Sequence, residues 1–134
     1  IVDSSMAIKL FYVALGGAVG SVFRYLLANL FLKTKLHDYI PPFLNYVFAA
    51  NVVGSFLMGA FVAYMEKFGA SAMSENLRLF LAIGLLGGFT TFSSFSLDVM
   101  NFLQTGKFLY ALGYILFSVI ISVSFIFMGY HLFK

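Results

Sequence analysis

Residues 87–96 read GGFTTFSSFS, two glycines followed by five hydroxyl residues with Phe92 and Phe95 set among them, inside an otherwise apolar stretch. Glycine costs about 1 kcal/mol against alanine in a helix interior, so the Gly87-Gly88 pair invites a break. A break at membrane depth exposes carbonyl oxygens and helix ends that can hold an ion. Beyond it, Phe92 and Phe95 are three residues apart and share a helix face. An aromatic ring has a negative face and a positive edge. Ring edges turned into a narrow passage would stabilise an anion weakly, which suits conduction, since an ion must leave as readily as it binds. The competing reading is that these rings only pack or face lipid, as most of the 18 phenylalanines must.

Other polar residues sit in apolar surroundings. Asn51 carries donors and an acceptor that hydrocarbon cannot satisfy, so it either joins helices or presents its amide to an ion. Arg24, costly by about 2.5–3.5 kcal/mol at membrane depth, either snorkels or lines an aqueous vestibule that attracts anions. Tyr114, Ser118 and Ser122 recur every four residues and stack their hydroxyls on one helix face. That stripe either bonds back to the preceding turn or forms a track of donors.

The elements that must position these groups follow from composition. The chain of 134 residues is 62% hydrophobic and 10% charged. Its mean hydropathy is +1.00, far above what a soluble core needs. Apolar runs over about 10–32, 43–65, 79–103 and 108–133 are each long enough to cross roughly 30 Å of hydrocarbon as a helix. A β-barrel would need alternating strands, and runs such as YILFSVIISVSFIF do not alternate. The fold class is therefore an all-α membrane protein, one domain of four transmembrane helices with the third broken near the midplane. Gly16, Gly17, Gly20 and Ser21 in the first span, and Ser55 and Gly59 in the second, mark close helix contacts.

There is no cysteine, and His37 and His131 lie far apart in the chain, so no thiol chemistry or side-chain metal site is expected. The residues before Met6, IVDSS, read as leader or added sequence. No carboxylate lies deep in a span; Asp98 comes closest. A proton-coupled exporter of organic cations, which needs such a carboxylate, is disfavoured. Neither enzymatic activity nor a nucleic-acid partner is expected.

Four spans place Lys9, Lys67, Arg78 and Lys134 on one side and Lys33, Lys35 and Lys107 on the other, four cations against three. A multi-pass protein of the inner membrane normally shows a clear excess of Lys and Arg on its cytoplasmic side. The near balance has two readings: a weak bias decided elsewhere in the sequence, or copies that insert both ways and pair antiparallel. Four helices offer little interior in which to hide polar groups, which favours a homodimer.

The residues alone lead to a small helical membrane protein with a midplane break and a path of aromatic and hydroxyl groups. GGFTTFSSFS, with GSVFRY at 20–25, NVVGS at 51–55 and Tyr114, Ser118 and Ser122, resembles the Fluc (CrcB-like) family of fluoride channels over essentially the whole chain. The resemblance implies an antiparallel, dual-topology homodimer in the inner membrane with two pores that export fluoride passively. A small dual-topology multidrug-type transporter is the alternative. By the resemblance, Phe92 and Phe95 contact fluoride. Asn51, Thr91, Tyr114, Ser118 and Ser122 belong to its pathway, and Arg24 lies in the vestibule. Gly87 and Thr90 supply backbone carbonyls from both subunits to a structural sodium ion at the dimer centre. One departure stands: the family often has threonine just before the second-span asparagine, where VFAAN offers only apolar residues.

A reporter fused to the C-terminus is expected on both sides of the membrane, and one added loop lysine is expected to shift the ratio. A reporter found on one side only would remove the dual-topology reading.

Overall fold

The computed structural model describes residues 2–35, 38–69, 71 and 73–134. His37, set aside above as a metal ligand, lies outside them. Among the described residues, four helical spans are long and apolar enough to cross a membrane. They are α1 (Ser4–Lys33), α2 (Tyr46–Phe68), a segmented third span over Glu75–Gln104, and, after it, Phe108–Phe133. The third span consists of α3 (Glu75–Arg78), a π-helical stretch (Leu79–Leu86), α4 (Gly87–Phe89) and α5 (Phe92–Gln104); the last helix is α6. The chain is a multi-pass membrane protein.

Polar residues at the right offsets start these helices. Asp3 caps α1 by accepting from the Met6 amide at 2.7 Å, and Asn45 caps α2 by accepting from Phe48 at 2.9 Å. The DSS stretch set apart in the sequence is thus the cap and first turn of α1. Ser74 caps α3 through the Leu77 amide. α5 ends where Gly106 takes φ +76°, and the Lys107 amide returns to the Phe102 carbonyl at 2.8 Å. Glycine adopts that left-handed angle without steric cost, and it lets α6 begin after a tight turn.

Packing joins the spans in two parallel pairs. α1 lies along residues 75–89, and α2 lies along α6. Backbone-to-backbone approach at glycine holds each pair. A Cβ on Gly16 would lie 2.9 Å from the Gly84 Cα, and one on Gly88 would lie 2.6 Å from the Gly17 carbonyl oxygen. In the other pair, a Cβ on Gly59 would strike the Ile126 carbonyl, and one on Gly129 the Phe56 carbonyl. In lipid, where no hydrophobic effect drives helices together, this close fit supplies the attraction.

The third span is broken at mid-length, but not at the glycines. Gly87 is helical at φ −63° and ψ −38°, and α4 runs through Phe89. The extended residues are Thr90, at φ −88° and ψ 154°, and Thr91, at φ −152° and ψ 126°. Gly88 is small because Gly17 lies against it. The π-helical stretch just before, where the Gly87 amide reaches back to Ala82, widens the helix ahead of the break. The break redirects the span: residues 75–89 pack on α1, while α5 packs on α6.

Substitutions at these glycines should separate by surroundings. G20A places a methyl group against the Leu85 carbonyl and G59A against the Ile126 carbonyl, whereas G113A meets open space. The first two are expected to lower thermal stability in detergent by about 1–3 kcal/mol. G113A is expected to match the parent chain, as followed by far-ultraviolet circular dichroism.

Candidate functional site

A groove of about 420 Å³ opens between α2, the break and α6. Asn51, Gly87, Thr90, Thr91, Phe92, Phe95, Ser118 and Ser122 all line it, with Ser55 and Gly54 beside them and apolar residues such as Met58 and Leu86 forming the rest of its wall. Residues from three spans thus meet where the third span breaks. Phe92 is 79% exposed, while Phe95 is half-buried. Their rings are 5.7 Å apart and inclined at 41°. Ser118 is buried, and its hydroxyl has no hydrogen-bond partner among the described residues.

The break survives because side chains replace the lost helical bonds. Asn51 Oδ1 accepts from the Thr91 amide at 2.8 Å, and Asn51 Nδ2 donates to the Thr91 carbonyl at 3.1 Å. One carboxamide therefore satisfies both backbone groups of the residue at the break. Arg24 Nε donates to the Gly88 carbonyl at 3.3 Å, which a regular helix would pair with the Phe92 amide. Thr91 Oγ1 accepts from the Ser94 amide at 3.2 Å and caps α5. Thr90 Oγ1 bonds back to the Leu86 carbonyl at 3.0 Å.

Among the described residues, the carbonyls of Gly87 and Thr90 lose their helical donors to side chains. The Thr91 amide, which would serve Gly87, is taken by Asn51, and the Ser94 amide, which would serve Thr90, is taken by Thr91 Oγ1. Gly87 and Thr90 both line the groove, and a Cβ on Gly87 would meet nothing nearer than 3.8 Å. The carboxyl end of α4 and the amino end of α5 therefore meet at mid-span. The first carries partial negative charge on its carbonyls, the second partial positive charge on its amides.

Two of the residues singled out from the sequence do not line the groove. Arg24 is half-buried on α1 and turned to Gly88. Tyr114 is fully buried behind Phe95, their ring centres 4.9 Å apart, and its hydroxyl donates to Asp98 Oδ2 at 2.7 Å. Asp98 also accepts from Asn45 Nδ2 at 3.3 Å. The sequence reading passed over this Asn45, Asp98 and Tyr114 network. Its one available signal was spacing, since Asp98 follows Phe95 by three residues on the same face of α5.

Residues 11–130 match the family described as CrcB-like protein, camphor resistance (CrcB). A protein of Agrobacterium fabrum named fluoride-specific ion channel FluC is 42% identical over 122 residues, 91% of this chain and 93% of its own length. Its namesake from Flavobacterium psychrophilum is 40% identical over 115 residues, covering 85% of this chain and 87% of the relative. Another, from Francisella tularensis subsp. mediasiatica, is 35% identical over 129 residues, 95% of each chain.

N51A leaves the amide and carbonyl of Thr91 unpaired, at about 1–3 kcal/mol for each buried group. It is expected to lower thermal stability accordingly and to speed amide exchange at Thr91 above exchange within α5, as read by mass spectrometry.

Proposed function

The chain belongs to the CrcB-like protein family, and on that premise we propose that it is a fluoride channel through which fluoride leaves the cell passively. The observation that carries this reading is the convergence of Phe92, Phe95, Asn51, Thr91, Ser118 and Ser122 on one groove at the break. The groove suits a small anion. Ring edges and hydroxyl donors offer stabilisation without a full cation, and the amino end of α5 adds partial positive charge. Groups of this strength let the ion enter and leave.

The groove also argues for a partner. It lies open on one face of a single chain at membrane depth, and hydrocarbon would leave its hydroxyls and carbonyls unsatisfied. A second copy covering it would enclose two polar paths, with aromatic groups from both subunits in each. The almost even loop charges support antiparallel pairing in the inner membrane. Arg24 holds the break with Nε and leaves its remaining N–H groups for the vestibule.

The donor set at the break fits a structural sodium ion. Gly87 and Thr90 present carbonyl oxygens whose helical donors are engaged elsewhere, and unwound carbonyls of this kind bind monovalent cations in other membrane proteins. When bound, the ion supplies positive charge that offsets these oxygens. The residues that shape the site are Asn51, which withholds the Thr91 amide, and Thr91, whose hydroxyl withholds that of Ser94.

Export needs no catalysis. Neutral hydrogen fluoride crosses the membrane, dissociates in the more alkaline cytoplasm, and leaves the anion trapped by its charge. A negative interior then drives the anion outward with about 2.3 kcal/mol per charge per 100 mV. The multidrug-type alternative gains nothing from the fold, because Asp98 is engaged by Tyr114 and Asn45.

Proteoliposomes loaded with fluoride test the function. A fluoride electrode is expected to register fast efflux on addition of valinomycin, with chloride retained. F92I and F95I are each expected to slow it roughly tenfold or more, equivalent to about 1.4 kcal/mol along the path. Absence of efflux from well-folded parent protein would overturn the channel reading.

A further inference from the structure

α5 presents Phe95, Asp98 and Phe102 at spacings of three and four, on one face. Together they form a slot for a single side chain of α6. The Tyr114 ring lies 4.9 Å from Phe95 and 5.8 Å from Phe102, the second contact edge to face at 71°. Between the two rings, Asp98 Oδ2 accepts the Tyr114 hydroxyl at 2.7 Å. Tyr114 has no exposed surface, so ring and hydroxyl are both committed to the slot. The carboxylate is itself anchored, because the same oxygen accepts from Asn45 Nδ2 at 3.3 Å while Asn45 Oδ1 caps α2. One chain of contacts thus runs from the start of α2 through Asp98 and Tyr114 to Phe95, whose opposite neighbour is Phe92 in the groove.

We infer that Asp98 and Tyr114 are positioning residues for the anion path: Asp98 holds the Tyr114 ring behind Phe95 by accepting its hydroxyl, and the Tyr114 ring sets the attitude of Phe95 toward the groove. The inference rests on the reading of Phe95 as a pathway group. Tyr114 then acts on fluoride through Phe95 and not by offering its hydroxyl, which the carboxylate occupies. The carboxylate serves as an acceptor, and its charge is not required. Both donors converge on one oxygen, so the amide oxygen of an asparagine can replace it. An ionisable group within a span is costly unless satisfied, and here two donors satisfy it.

The test is a double-mutant cycle in vesicles that each hold at most one channel, so that turnover per active vesicle is read separately from the fraction of vesicles that are active. A residue that only supports folding changes the fraction; a positioning residue changes the turnover. Y114F and D98A are each expected to lower fluoride turnover roughly fivefold. The double variant is expected to be no slower than the slower single one, as for residues acting through one contact. D98N is expected to stay within roughly twofold of the parent, because it keeps the acceptor. If D98A does not assemble, Y114F and D98N decide the matter by themselves.

Parent-like turnover in Y114F would overturn the inference. So would D98N as slow as D98A or Y114F, which would make the charge itself the active feature, or effects that simply add. A parent protein that does not conduct would defeat the channel reading instead. An F95I variant that conducts normally would remove Phe95 from the path and leave fluoride transport standing.

Discussion

Hydrocarbon offers no partner for a peptide group, so every backbone donor and acceptor at membrane depth must be paired within the protein. This chain opens a helix at mid-span and must meet that constraint with side chains. Asn51 meets part of it, giving one oxygen and one N–H to the two backbone groups of Thr91. Arg24 reaches from α1 to the Gly88 carbonyl, and Thr91 caps the helix that follows. Three spans are tied together at the point where one of them is interrupted. The carbonyls of Gly87 and Thr90 lose their helical donors as a consequence of the same bonds.

The break also explains how four helices make a structure of two parallel pairs. An unbroken third span would pack along one neighbour for its whole length. With Thr90 and Thr91 extended, residues 75–89 follow α1 through glycine contacts, and α5 turns to α6 through Tyr114. The groove is the space left between α2 and α6 where the third span changes partners. The packing that creates the groove therefore also gathers its lining, and Ser118 and Ser122 of α6 line the same groove as Phe92 and Phe95 of α5, although the two pairs are far apart in sequence.

Much of this was legible in the residues. The four apolar runs, the small-residue positions Gly16, Gly20 and Gly59, and the interruption in GGFTTFSSFS follow from the period of a helix and the cost of polar groups in lipid. The place of the break was not. Glycine propensity pointed to Gly87 and Gly88, yet both remain helical, because Gly88 is needed for close approach to Gly17 and the extended residues are the two threonines. Propensity describes what a residue does alone, and here a neighbouring helix decided its use.

Sequence by itself determined that the chain lives in a membrane, that it crosses it as helices, and that its few polar residues inside the spans must be satisfied. Those conclusions rest on local terms: hydropathy, periodicity and the cost of burying an unpaired group. Only the tertiary structure decided which partner satisfies each one. Asn51 and Arg24 were open between a structural and an ion-facing use, and both are bonded to the break. Tyr114 shares a helix face with Ser118 and Ser122, yet its hydroxyl turns to Asp98 and only the serines reach the groove. Spacing along a helix fixes the face on which a side chain stands. The partner it meets depends on the approach of another helix, which is a property of the whole fold.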